Sequence, residues 1–207
     1  MGRELTIDPE TETKLLAVAK QPMKDALIVI QDTGMRPEEV FRIRIENINW
    51  SRRLIFNPNG KTKAARRHVP ISERMLDLLM IRCSNKPEGW LFPSHRAECG
   101  HLTTVAKQLR DARAKAGLPE SLVLYCARHT FGTAAYGATG DLAMVMNVMG
   151  HTDVRTAMRY QHPVGFCSRS HRSEKSTSQT TSQRASGTVK EGCKLLKEWS
   201  RRADLNR

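Results

Sequence analysis

Apolar residues recur at helical spacing along most of the chain up to Tyr160, and one interruption decides what the chain can fold into. Between Ile45 and Ile71 the texture changes. Two short β-like runs, Leu54-Ile55-Phe56 and His68-Val69-Pro70-Ile71, flank a turn-rich basic stretch, Asn57-Pro58-Asn59-Gly60-Lys61-Thr62-Lys63. Asn, Pro and Gly between β-prone runs favour tight turns, so this segment reads as a small antiparallel sheet with an extended hairpin. Around it the pattern is helical. Pro9–Thr33 reads as two helices, carrying Leu15, Leu16 and Val18, then Ala26, Leu27, Ile28 and Ile30. Asp32-Thr33-Gly34 breaks the pattern and Arg36-Pro37-Glu38-Glu39-Val40 restarts it, with proline and two acids where a first helical turn prefers them. Further helices are expected over 72–82, with Ser72 as N-cap, and near 102–116, 126–138, 142–149 and 153–160. The Met/Val-rich stripe Leu142–Met149 reads as core. The expected fold class is mainly α with a small antiparallel β-sheet (α+β).

After Pro163 the composition shifts. Residues 168–188 hold 11 Ser/Thr in 21 positions and no Val, Ile, Leu, Phe or Met, too little apolar surface to order a segment. A stripe returns at Val189, Cys193, Leu196, Trp199 and Ala203. The expected organisation is a folded body over 1–165, a flexible linker over 166–187 and a terminal amphipathic helix over 188–207. The whole chain carries 34 Lys+Arg against 21 Asp+Glu, a net charge of +13. That balance favours a polyanionic partner, of which nucleic acid is the commonest. No run of 18 apolar residues and no apolar N-terminal segment occurs, which argues against a membrane span and classical secretion. Five scattered cysteines without a CxxC pair fit a reduced, cytoplasmic setting. His95, Cys99 and His101 lie in a Gly- and Pro-containing loop without a second ligand pair, so they read as structural and no metal is expected.

Four short segments carry chemistry: Thr33-Gly34-Met35-Arg36-Pro37-Glu38-Glu39-Val40, Gly60-Lys61-Thr62-Lys63, Tyr125-Cys126-Ala127-Arg128-His129-Thr130-Phe131-Gly132-Thr133, and Gly150-His151-Thr152-Asp153 with Tyr160-Gln161-His162. His151 follows Arg128 by 23 residues and Tyr160 follows His151 by 9. In this order and spacing the segments resemble the catalytic domain of the tyrosine recombinases, the phage integrase superfamily. The resemblance covers most of residues 5–163 and implies that family's catalytic-domain fold for residues 1–165. By resemblance, Arg36 and Arg128 would bind the phosphate, and Lys61 would be the general acid with Lys63 in reserve. His151 would be the histidine of the last box and Tyr160 the nucleophile. Tyr125 departs from the pattern, because the family's third box usually starts with His there. A phenol can donate or accept a hydrogen bond but cannot carry an imidazolium charge. His129 is expected to pack or orient its helix, and His162 to line the site. Lys61, Lys63, Arg66 and Arg67 also read as a solvated or phosphate-contacting face.

The resemblance implies attack of a tyrosine oxygen on a phosphodiester, giving a 3′-phosphotyrosine and a free 5′-hydroxyl that a second attack reseals. Two guanidiniums suit that step, since each is permanently charged and offers phosphate a planar fork of donors. The covalent link keeps the phosphodiester energy, so neither ATP nor a metal cofactor is expected. The implied partner is double-stranded DNA, bound by a homotetramer on paired sites, with the helix at Val189–Ala203 docked on a neighbouring protomer. The implied setting is the nucleoid of a bacterium, with a bacterial or phage gene. The family also carries an N-terminal DNA-clamping helical domain, for which the residues before Arg36 are too few. Two alternatives stand beside this reading. One is a DNA-binding module of the same fold with weakened catalysis, which Tyr125 favours. The other is a type IB topoisomerase-like relaxase, against which the Thr33–Val40 box argues.

Overall fold

The computed structural model describes residues 5–58, 66–84 and 86–161. Helices α1 (Pro9–Val18), α2 (Met23–Thr33) and α3 (Pro37–Phe41) lead into strands β1 (Ile48–Asn49), β2 (Leu54–Asn57) and β3 (Arg67–Pro70). Helices α4 (Glu73–Cys83), α5 (Ala106–Ala116), α6 (Tyr125–Thr139), α7 (Leu142–Met149) and α8 (Val154–Met158) follow, and a 3-10 turn spans Arg159–Gln161. The mainly helical fold with one small antiparallel sheet is therefore as expected.

Local chemistry sets the element ends. Asp8 caps α1 by accepting from the Thr11 amide at 2.8 Å, and Ser72 caps α4 by accepting from Met75 at 3.1 Å. The apolar run Ala26–Ile30 makes α2 buried nearly all round, which marks it as the central helix. In the sheet, ordered β1-β2-β3, Ile55 pairs with both Ile48 and Val69. The alternation of strand side chains turns these three inward, while Phe56 and His68 stack on the outer face with ring centroids 5.1 Å apart.

One large apolar cluster joins α1–α5 and the sheet around Leu15, Leu27, Ile30, Ile55, Met75 and Leu79. Arg74 ties three helices together, donating to Glu12 and Asp32 at 2.5 Å each. A second, smaller cluster (Phe131, Ala135, Met144, Val145, Val148, Met149, Ala157 and Tyr160) packs α7 and α8 on α6. The Leu142–Met149 stripe is thus core, and it supports the wall on which Tyr160 sits.

Two boundaries differ from the sequence expectation. The helix near 102–116 begins only at Ala106: the segment before it is held extended by the Pro93–His101 bridge and the Leu102 amide donating to Phe92 O at 2.8 Å, and the Thr104 hydroxyl accepts from the Ala106 amide at 3.1 Å. The segment 153–160 divides into α8 and the 3-10 turn. The hairpin tip with Lys61 and Lys63, and the expected linker and terminal helix, lie outside the described residues.

Candidate active site

The site assembles around the C-terminal end of α7. A helix end leaves its last four carbonyls without intrahelical donors. Gly150, with φ +67°, turns the chain so that its own amide reaches Asn147 at 3.3 Å and the His151 amide reaches Met146 at 2.9 Å. This is a Schellman cap, which needs a residue that tolerates a left-handed backbone. The next carbonyls take guanidinium donors. Arg67 Nε donates to Val148 O at 2.6 Å, Arg128 Nη2 to Met149 O at 2.9 Å, and Arg36 Nη2 to Gly150 O at 3.5 Å. Three arginines from β3, α6 and the start of α3 therefore grip successive peptide groups, and cations suit the negative end of a helix.

Arg128 is fully buried. It also donates to Gly34 O, just past α2, and its Nη2 meets His151 Nε2 at 2.6 Å. Burial first, and then the neighbouring Arg36 charge, pull Arg128 below its ordinary pKa, while Tyr125, Tyr160 and Glu39 act the other way. Its Nε has no partner among the described residues. Arg36 is partly open, with a side chain 39% exposed, and its Nη1 donates to Glu39 Oε1 at 3.1 Å. Glu39 is buried and accepts from the Arg36 amide at 2.9 Å and from Arg67 Nη2 at 3.2 Å. Burial opposes its charge, yet Arg67, the Arg36 amide and Arg128 hold its carboxyl below the usual carboxylate range. These three guanidiniums face one carboxylate, so the cluster keeps an excess of positive charge that an anionic ligand would neutralise.

His151 is buried. Burial, reinforced by Arg128, Arg36 and Arg67, pushes its imidazole down to about 4. Because Nε2 accepts from Arg128, the neutral ring carries its proton on Nδ1, which has no partner among the described residues. Tyr160 enters from the 3-10 turn, is 3% exposed, and lies with its ring 5.9 Å from that of His151 and 6.1 Å from that of His129. Burial raises its phenol to about 12 against the opposing pull of Arg128. The ring packs close against α6 at Gly132, where any Cβ would stand 2.5 Å from Tyr160 Cε1. Tyr125, half-exposed at the start of α6, meets the ring of His129 one turn later edge to face, with centroids 5.0 Å apart.

Of the residues singled out in the sequence, Arg36, Arg128, His151, Tyr160 and Tyr125 are thus brought together, whereas Lys61, Lys63 and His162 lie outside the described residues. One expectation is corrected. Arg67 does not belong to a solvated face: it is buried in phase with Val69, while Arg66 is exposed. Glu39, Arg67 and Gly132 were not anticipated as parts of the site. The strand alternation around Val69 was the available signal for Arg67. His101 is engaged locally, its Nδ1 2.8 Å from Leu102 O and its ring against Trp90, and no metal-binding group of His, Cys, Asp or Glu occurs among the described residues.

The sequence profile of the phage integrase family matches residues 6–164. A tyrosine recombinase of Pseudothermotoga lettingae is 26% identical over 161 residues, covering 75% of this chain and 55% of that protein. The tyrosine recombinase XerD of Bradyrhizobium diazoefficiens is 32% identical over 154 residues, covering 67% of this chain and 47% of that protein. Among solved structures, the Tn1549 transposon integrase in complex with transposon right-end DNA superposes with a TM-score of 0.65 at 17% identity, covering 80% of this chain and 64% of that one. The chain spans about half the length of the curated relatives it matches.

Proposed function

This chain belongs to the phage integrase family, and we propose that it breaks and rejoins double-stranded DNA at specific sites, with Tyr160 as the nucleophile. The observation that carries the proposal is the cation-rich end of α7, where Arg36, Arg128 and a neutral His151 converge beside a buried tyrosine. A phosphodiester is already an anion, and its pentavalent transition state gathers more charge on the non-bridging oxygens. Donors fixed where charge develops usually supply the largest catalytic effect.

In this reading Arg36 and Arg128 take the non-bridging oxygens, and the unpaired Nδ1–H of His151 supplies a third donor. With its lone pair turned to Arg128, His151 donates in preference to accepting the phenol proton. A phenol raised to about 12 is almost wholly protonated at neutral pH, so its proton passes to water at the site as the bond to phosphorus forms. The Tyr160 oxygen bonds to phosphorus, the bond to the 5′-oxygen breaks, and that oxygen takes a proton from Lys61, with Lys63 as the alternative donor. The returning 5′-hydroxyl reverses the step and reseals the strand. The DNA in the Tn1549 integrase complex supports DNA as the partner. Four protomers on two paired sites complete the assembly in a bacterial cytoplasm, and the expected tail over 188–207, outside the described residues, is the candidate for linking them. No helix among the described residues is long and apolar enough to cross a membrane.

Tyr125 favours a second reading, a DNA-binding module with weakened catalysis. One assay separates the two. Protein is mixed with fragmented bacterial DNA, stopped with denaturant and assayed for protease-sensitive covalent adducts. The proposal expects adducts from the parent and none from Tyr160→Phe. Binding without any parental adduct would favour the module, and equal adducts from Tyr160→Phe would refute Tyr160 as nucleophile. Sequencing the trapped DNA then gives the target.

A further inference from the structure

Arg67 has no part in the reaction as written, yet its guanidinium occupies the middle of the site's frame. Its Nε holds Val148 O at 2.6 Å, and Nη1 and Nη2 reach the Glu39 carboxylate at 3.4 and 3.2 Å. Glu39 in turn holds the amide and the side chain of Arg36. The two residues after Val148 present the carbonyls that Arg128 and Arg36 grip, and His151 follows directly. Arg67 is also the first residue of β3, paired with Asn57 at the end of β2, so the sheet is joined to the same frame.

We propose that Arg67 is a positioning residue: its planar fork locks the last turn of α7 to Glu39 and so fixes where Arg36 and His151 meet the scissile phosphate. The proposal rests on the DNA-cleaving function given above. Two features set it apart from a merely stabilising contact. A buried ion pair is weak evidence for stability, since burying both charges costs about what their attraction returns. Moreover, the Val148 carbonyl and the Glu39 carboxylate that Arg67 grips lead, within three residues and through one carboxylate, to His151 and Arg36. The fork is required because a lysine ammonium is a point charge that cannot span a helix-end carbonyl and a carboxylate together.

The test uses Arg67→Lys, which keeps the charge and removes the fork, and the double variant Glu39→Gln/Arg67→Met, which removes both charges of the pair together. Melting temperature, the rate of adduct formation on the DNA recovered from trapped parental adducts, and the His151 titration by ¹⁵N NMR are measured. Arg67→Lys should melt near the parent, form adducts about 10- to 100-fold more slowly, and titrate His151 nearer its ordinary 6.5. The double variant should stay slow even with parental melting. A parental adduct rate in either folded variant overturns the proposal. If Arg67→Lys fails to fold, the double variant's rate decides alone. If the parent forms no adduct, the cleaving function fails separately, and an unchanged His151 titration in Arg67→Lys still overturns the positioning role.

Discussion

His151 illustrates how the site's charges control single residues. Its imidazole sits at about 4 when folded, against an ordinary value of 6.5. Between those values the unfolded chain takes up a proton that the folded chain refuses, so stability is complete above about pH 6.5 and is lost as pH falls toward 4. Glu39, depressed when folded, adds a loss in the same direction at lower pH. Thermal melts from pH 8 to 4 should show a plateau and then a fall, and His151→Gln should flatten the part of the fall nearest pH 6.5. Gly132 is constrained by close approach alone, since a Cβ there would stand 2.5 Å from the Tyr160 ring. In an open helix Gly→Ala gains about 1 kcal/mol. Here Gly132→Ala should displace the ring, and a shift of about 1 Å costs on the order of 100-fold in adduct rate, with circular dichroism unchanged. Arg36, Arg128, His151 and Tyr160 were legible because their order and spacing survive in the sequence. The Glu39–Arg67 pair was not, because an ion pair between residues 28 positions apart leaves no local pattern.

At the scale of elements, the C-terminal end of α7 organises the site, and its cap could be read from Gly150-His151. The Ser72 cap, the hairpin strands and the α7 stripe were equally legible, since each follows from local periodicity or capping chemistry. The start of α5 was not. Leu102 follows a helical pattern in sequence, but the Pro93–His101 bridge and the Leu102–Phe92 hydrogen bond hold the segment extended, a tertiary pairing that outweighs propensity. Helix α7 owes its position to the second apolar cluster, in which Met149 is fully buried. Met149→Ala should cost about 2–5 kcal/mol, read by urea denaturation. Because that cluster also holds Tyr160, adduct formation should be lost at lower urea than the signal of Trp50 and Trp90, which lie outside the cluster.

For the whole molecule, the charge of +13 divides into two kinds of cation. Arg36, Arg67 and Arg128 are committed to one buried cluster, where their neighbours set their geometry. Residues 164–207 hold 10 Lys+Arg and 4 Asp+Glu, a surplus of six positive charges outside the described residues. Such charges attract phosphates without regard to sequence, by releasing condensed counterions. The logarithm of DNA affinity should therefore fall linearly with the logarithm of salt, and removing residues 166–207 should make that slope shallower. An unchanged slope would place the phosphate contacts on the body alone.

The proposed reaction requires a covalent link between DNA and one particular tyrosine. The chain has three tyrosines, Tyr125, Tyr136 and Tyr160. Trapped adducts digested with nuclease and trypsin, and read by tandem mass spectrometry, should carry the nucleotide on the peptide that begins at Tyr160 and ends at Arg169. A nucleotide on Tyr125 or Tyr136, or none on any tyrosine of an active preparation, would contradict it.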